Sequence, residues 1–346
     1  MHTDMKQHKQ QGLGIVEVMV ALLLSGLLIA GVTQIYTGSQ AAYRLQDQMS
    51  RTQENARFAF HFLSRELRMA GYSGCRRDVP IESVLNPVAS DDELSFLNGF
   101  QPGIMGYSFQ GGGWSPNLPG SLSAIDPLPN TDVVEIRNSG TDQVAVADPY
   151  HVIEMNAAKV FMDQNPGFEP GDILLVSDCA AGTVFEVTNA FDGGGSQGVV
   201  ANKGKTITVG NESSALGSFG EGATVSRATS VVYYVAQGAS GEPALFRRMN
   251  NRPVEELVEG IERLRFTYGI GDGVMITDYR TAAEVDAANQ WDRVMSVQIS
   301  AVVRGNRDET TDEPQAYTFD GEQIVPADRR LRYVVGTTAT LRNRVR

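Results

Sequence analysis

The chain has 346 residues, enough for about two domains or one large one, and with 42% hydrophobic and 20% charged residues it can bury a core. A formal charge of -12 excludes a general nucleic-acid binder, which needs a basic surface to displace counterions from phosphate. Only His2, His8, His61, His151 and two cysteines are present, too few for an ordinary zinc site without carboxylate help, and nothing in their spacing supports a histidine-based catalytic triad.

Residues 1–12 (MHTDMKQHKQQG) are polar, with Lys6 and Lys9 against Asp4. Residues 13–32 (LGIVEVMVALLLSGLLIAGV) then run apolar with one charge, Glu17. At the helical rise this stretch spans about 30 Å, the thickness of a bilayer core. Lysines before it and none close after it place the N-terminus on the cytoplasmic side. An ordinary signal peptide fits poorly, because its cleavage site follows the apolar run and a carboxylate inside that run is rare. A charge in lipid costs roughly 2.5–3.5 kcal/mol on insertion scales, so a residue such as Glu17 calls for a function and a partner.

The residues Gly12-Leu13-Gly14-Ile15-Val16-Glu17 resemble the cleavage motif of type IV prepilins, a glycine followed by a hydrophobic block with glutamate at its fifth position. Leu13 and Gly14 stand where that family usually has phenylalanine and often threonine. The resemblance implies cutting between Gly12 and Leu13 by a membrane prepilin peptidase, and N-methylation of Leu13. It also implies that Glu17 registers subunits by pairing with a neighbour's N-terminal amine, since a carboxylate in lipid is stabilised by a cation.

Past Val32, apolar Leu45, Met49, Ala56, Phe60, Leu63, Leu67 and Ala70 recur at steps of three, four or seven, a helical stripe. Gln46, Asp47, Arg51, Glu54, Arg57, Arg65, Glu66 and Arg68 form the expected solvated face. No proline precedes Pro80 and Gly71 is a natural stop, so one helix of about 85 Å is expected over 13–70. Gly26, Gly31 and Gly38 could bend it, each disfavoured by about 1 kcal/mol relative to alanine. The remainder reads as β-rich, with strands expected at 132–137, 172–177, 183–188, 205–209, 230–235, 244–249, 261–269, 293–303 and 332–341. Residues 99–130 and 189–204, with glycine runs at 111–113 and 193–195, read as irregular surface insertions.

Three further features are Gly71-Tyr72-Ser73-Gly74-Cys75 closing the helix, Gly171-Asp172-Ile173-Leu174-Leu175-Val176-Ser177-Asp178-Cys179 ending at the second cysteine, and the tail Asp328-Arg329-Arg330-Leu331-Arg332-Tyr333 with Leu341-Arg342-Asn343-Arg344. Together with the leader they are similar to PilW-type minor pilins, from the first residues to the last, with least likeness over 80–170. The resemblance implies an α+β fold, type IV pilin-like: a leader at 1–12, a spine helix at 13–70 that is transmembrane over 13–32, and a β-rich periplasmic head at 71–346. It implies a protein that helps to initiate pilus assembly at the inner membrane and enters the pilus near its tip, with no cofactor and no enzymatic activity. Other minor pilins, the major pilin, a tip adhesin and the prepilin peptidase are the implied partners. A type II secretion pseudopilin of the J class shares the same spine and is the alternative; a signal-anchored periplasmic enzyme would require a catalytic constellation that is not found.

Cys75 and Cys179 both fall outside the cytoplasmic membrane in this topology, where an even pair is most simply a disulfide and two buried free thiols are the alternative. Other motifs carry less. Gly204-Lys205-Thr206 echoes a P-loop, but Val199 stands where its first glycine must be. The acidic run at 91–93 reads as a solvated turn. Asp272, Asp278 and Asp286 match no standard calcium loop, and Ser177 and His151 lack a third catalytic member. Six arginines at 329, 330, 332, 342, 344 and 346 read as outward positions on a terminal strand, with an acidic partner as the other reading.

Overall fold

The computed structural model describes residues 14–74, 79–86, 100–140, 142–147, 152–153, 157–178, 180–193, 196–250 and 252–344. One helix runs from Ile15 to Met69, 55 residues or about 82 Å. Nothing in its sequence breaks it: proline is absent, and nothing lies within 4 Å of where a Cβ on Gly26, Gly31 or Gly38 would stand. It ends where Gly71 turns left-handed (φ 71°), letting Tyr72 N donate to Met69 O at 2.9 Å and Gly71 N to Arg137 O at 2.8 Å in the head.

Residues 14–46 of this spine are all exposed. The second half buries Gln48, Thr52, Ala56, Ala59, Leu63, Glu66 and Leu67. This stripe differs from the expected one at its ends. Leu45 and Met49 remain 40% and 48% exposed, while polar Gln48 and Thr52 are buried instead. The reason is local: the Thr52 hydroxyl donates back to Gln48 O at 2.7 Å, and the Gln48 side chain lies against Gly305, where the helix enters the head. Glu66, expected in solvent, is buried beside Arg65, whose guanidinium lies 3.2 Å from its carboxylate.

The small Ala56 and Ala59 let the helix sit close on an antiparallel four-stranded sheet ordered Ile276–Arg280, Ile261–Gly271, Val294–Arg304, Arg332–Thr340. Alternate residues of these strands, among them Leu264, Phe266, Val297, Ile299, Val303 and Ala339, meet Leu63 and Leu67 in the largest core. Each such buried side chain contributes about 2 kcal/mol by burial.

A larger, ten-stranded sheet forms the rest of the head's frame. Its centre is the 14-residue strand Thr224–Gln237, which is long enough to serve two halves. Residues 224–227 pair with Ile173–Ser177, and residues 231–237 pair with Pro243–Met249. On its other side it pairs with Val133–Ser139.

Three expectations fail for physical reasons. Residues 205–209 are no strand, because their backbone donors are taken by a side chain. The buried Glu186 carboxylate accepts from the N–H groups of Ile207 (3.3 Å), Thr208 (2.5 Å), Val209 (3.1 Å) and Gly210 (2.6 Å). Those donors cannot also join a ladder. Residues 189–204 are not irregular: Asn189–Gly193 and Ser196–Asn202 pair as a hairpin that continues to Ala157–Met162. Within 99–130, Ile104–Gln110 and Gly113–Ser115 form another hairpin, turned by Gly111 and Gly112 at φ 59° and 86°. The run at 91–93 lies outside the described residues.

Candidate assembly site and its supporting clasp

Residues 15–32 expose apolar side chains all round, from Ile15 (82%) and Val16 (73%) to Leu28 (71%) and Val32 (66%). Among the described residues this is the one helix long and apolar enough to cross a membrane. Glu17 occupies its first turn. Gly14 is extended (φ -69°, ψ 148°), and its N–H donates to Glu17 Oε2 at 3.0 Å while Glu17 N returns a bond to Gly14 O at 3.0 Å. In the single chain the carboxylate therefore caps its own helix, where the positive end of the dipole favours it. Gly12 and Leu13 lie outside the described residues.

The spine's other end is clasped by the C-terminal tail. Arg342 N donates to Arg68 O at 3.4 Å, Asn343 Nδ2 to Ala70 O at 3.3 Å, and Arg344 Nη1 to Asp292 O at 2.8 Å. Arg330 and Arg332 are not outward positions, contrary to the sequence reading, whereas Arg329 is, 42% exposed at its side chain and paired with Glu309 at 2.8 Å; Arg346 lies outside the described residues. Arg332 is 2% exposed at its side chain, held by Glu262 (2.7 Å) and Asp328 (2.6 Å). Arg330 meets both oxygens of Glu242 at 2.8 Å, and Arg304 bridges Glu242 and Glu262. Three cations and three carboxylates thus balance where the terminal strand begins. Sequence spacing could not find the two glutamates, which lie 42 to 88 positions from their arginines; Asp328 alone of the three stands close, four positions before Arg332.

This network makes stability depend on acid. The hydrogen bond from Arg332 holds Asp328 down at about 2; against the cost of its burial, Arg330 and Arg304 hold Glu242 below the usual range. A lowered folded pKa contributes stability above the unfolded value near 4 and loses it as pH falls toward about 2. Asp132 runs the other way. Burial pushes it up to about 6 despite Arg265 at 2.6 Å, so its contribution falls as pH rises from about 4 to about 6. Denaturation midpoints of the full chain in detergent should therefore fall below pH 4, and Asp328→Asn should flatten that limb while leaving the limb above pH 4 unchanged. An unaltered acid limb in this variant would remove Asp328 as its source.

The remaining candidates separate. Cys75, Cys179 and His151 lie outside the described residues. Ser177 Oγ donates to Ser73 O at 2.9 Å, which is a structural tie. Lys205 Nζ donates to Thr188 O at 2.8 Å. Asp278 pairs with Arg280 (3.0 Å), Asp286 accepts from Trp291 Nε1 (3.0 Å), and Asp272 caps the turn at Val274 and Met275. Among the described residues no three His, Cys, Asp or Glu stand where they could hold a metal ion.

Inside the head, sequence reasoning passed over Glu135 and Arg137. They share one strand face at i, i+2 and pair at 2.9 Å, with side chains 0% and 2% exposed. Ser230 Oγ adds a bond to Glu135 at 2.9 Å. Opposite charges two apart within the β-branched run VVEIR were the available signal.

A long apolar N-terminal helix carrying a β-rich globular head is an α+β, pilin-like fold. The family of the Type IV Pilus-assembly protein W matches residues 232–343, and the prokaryotic N-terminal methylation motif matches residues 7–33. Together these support a type IV pilus-associated pilin of the PilW type, and the methylation motif with the apolar helix suggests membrane anchoring. No curated protein and no solved structure matches the chain.

Proposed function

We propose that this chain is a minor pilin that helps to prime type IV pilus assembly at the inner membrane and is then carried in the pilus near its tip. The methylation motif over 7–33, continuous with an exposed apolar helix that opens on Glu17, is the observation that supports it. On this reading residues 1–12 are a leader, 13–70 a spine and 71–346 a periplasmic head. Prepilin peptidase cuts after Gly12 and Leu13 becomes the methylated N-terminus. Other minor pilins, the major pilin and a tip adhesin are its partners. Intact mass spectrometry from cells with and without the peptidase tests this: residues 13–346 plus one methyl group are expected with it, and the uncut chain without it. A mature terminus beyond residue 30 would instead mean ordinary signal processing.

A Cys75–Cys179 disulfide belongs to the same proposal. Its support is the described flanks, where Ser177 Oγ donates to Ser73 O at 2.9 Å, each residue two positions before a cysteine. Cys75→Ser or Cys179→Ser should lower the head's stability by about 2–5 kcal/mol, read by urea denaturation. Both thiols reacting with a maleimide in the folded periplasmic protein would dismiss the bridge.

A further inference from the structure

Resting on the minor-pilin reading, we infer that the outer edge of the terminal strand Arg332–Thr340 is a strand-acceptor site, completed by an extended segment of a different pilus protein. The backbone pattern defines the site. Leu341 N donates to Met295 O and Gly305 N to Leu331 O, each at a position directly opposite in the register with Val294–Arg304. In an antiparallel ladder such pairs alternate, so odd-numbered residues of the terminal strand bond inward. The N–H and C=O groups of Val334, Gly336, Thr338 and Thr340 therefore point away from the sheet. All four residues are exposed, and no strand pairs with this edge among the described residues.

Natural edges are blunted by charges, prolines or bulges. Two other described edges of the head follow that rule. Glu255–Glu259 carries three glutamates, and Ile276–Arg280 carries Asp278, Arg280 and a register shift beside Gly271. Residues 333–340 (YVVGTTAT) have no charge and no proline, and the nine-residue register of 332–340 with Val294–Arg304 is unbroken. Beside this edge runs an open groove against the spine, lined by Gln53, Ala56, Arg57, Phe60, Tyr333 and Val335. An added strand of about seven residues would cover the four outward positions and turn alternate apolar side chains onto Ala56 and Phe60. An acidic residue at its margin would meet Arg57.

Geometry argues against a second copy joined edge to edge as the occupant. The spine near Gln53 lies by residues 333–336 and Arg68 bonds Arg342, so helix and strand run the same way. Two copies joined by a two-fold axis through this edge would pair antiparallel, sending their apolar N-terminal segments in opposite directions. One membrane could not hold both. The acceptor thus takes a strand from another chain, by main-chain hydrogen bonding.

Hydrogen exchange on the full chain tests this, comparing the detergent-purified protein with pili sheared from cells. Amides of 334, 336, 338 and 340 should exchange freely in detergent and slow by at least ~100-fold in pili, while inward amides are slow in both. Thr338→Pro removes only an outward N–H, which an edge strand tolerates. It should reduce the chain's copies per pilus at least ~10-fold at an unchanged denaturation midpoint, whereas Thr338→Ala should not. The inference is overturned by outward amides already slow in detergent, by no slowing in pili, or by Thr338→Pro entering pili normally. It is equally overturned by a cross-linked species of twice this chain's mass from a photoreactive residue at Val334. A chain that is cut at Gly12 and present in pili with a free edge defeats this inference alone; a chain absent from pili defeats the minor-pilin reading with it.

Discussion

Glu135→Ala is expected to lower the unfolding free energy of the head by about 3–5 kcal/mol, the usual cost of truncating one member of a buried ion pair. Arg137 is 2% exposed and its guanidinium meets Glu135 at 2.9 and 3.3 Å, so water cannot replace the carboxylate without opening the sheet. The position matters beyond the pair. Arg137 O receives the N–H of Gly71 at the end of the spine, and Arg137 N donates to Gly103 O, so this residue joins helix, central sheet and the hairpin at 104–115. Replacing both partners with apolar residues of similar shape, Glu135→Leu with Arg137→Met, should recover most of the loss, because neither charge then has to be desolvated. Urea denaturation of the full chain in detergent measures both. A single variant within about 1 kcal/mol of the parent would mean that water already reaches the pair.

Glu17→Ala is expected to leave processing intact and to abolish most assembly. In the single chain Glu17 caps Gly14 at 3.0 Å, so alanine should cost the isolated helix only about 1 kcal/mol. A tether would not notice, since removing a carboxylate from lipid is neutral or favourable for membrane residence. On the proposed reading the carboxylate exchanges its own N-terminal turn for the amine of a neighbour's Leu13. Its loss leaves that cation unpaired in a low dielectric, a penalty of a few kcal/mol at each contact. Pilus number and co-purified pilins should then fall at least ~10-fold, as about 1.4 kcal/mol already gives a tenfold change. A processed, membrane-resident and fully piliated variant would remove subunit registration from Glu17.

The spine was legible because its signals are local. Twenty apolar residues with one acid, and steps of three and four without proline, specify a helix whatever follows them. Strands 261–271, 294–304 and 332–340 were legible within two residues for the same reason, as β-branched runs bounded by turn residues. The hairpin at 189–202 was not, because its glycines and polar residues resemble a loop until Ala157–Met162 supplies a third strand. At 205–209 the β-like sequence misled, since the Glu186 carboxylate some twenty positions away takes the backbone donors first.

The sequence by itself therefore determined the N-terminal helix, its apolar length, and the single carboxylate inside that apolar run. These depend on composition and on contacts within one turn. Tertiary structure alone decided the fate of the charges in the head. Arg332 reads as surface in sequence yet is buried, because Glu262 and Asp328 converge on it from another strand and a turn. It also decided which strand edge stays open, since pairing is settled by where distant strands fall. Burial and pairing are sums over neighbours in space, and a one-dimensional pattern carries those neighbours only when they are also neighbours along the chain.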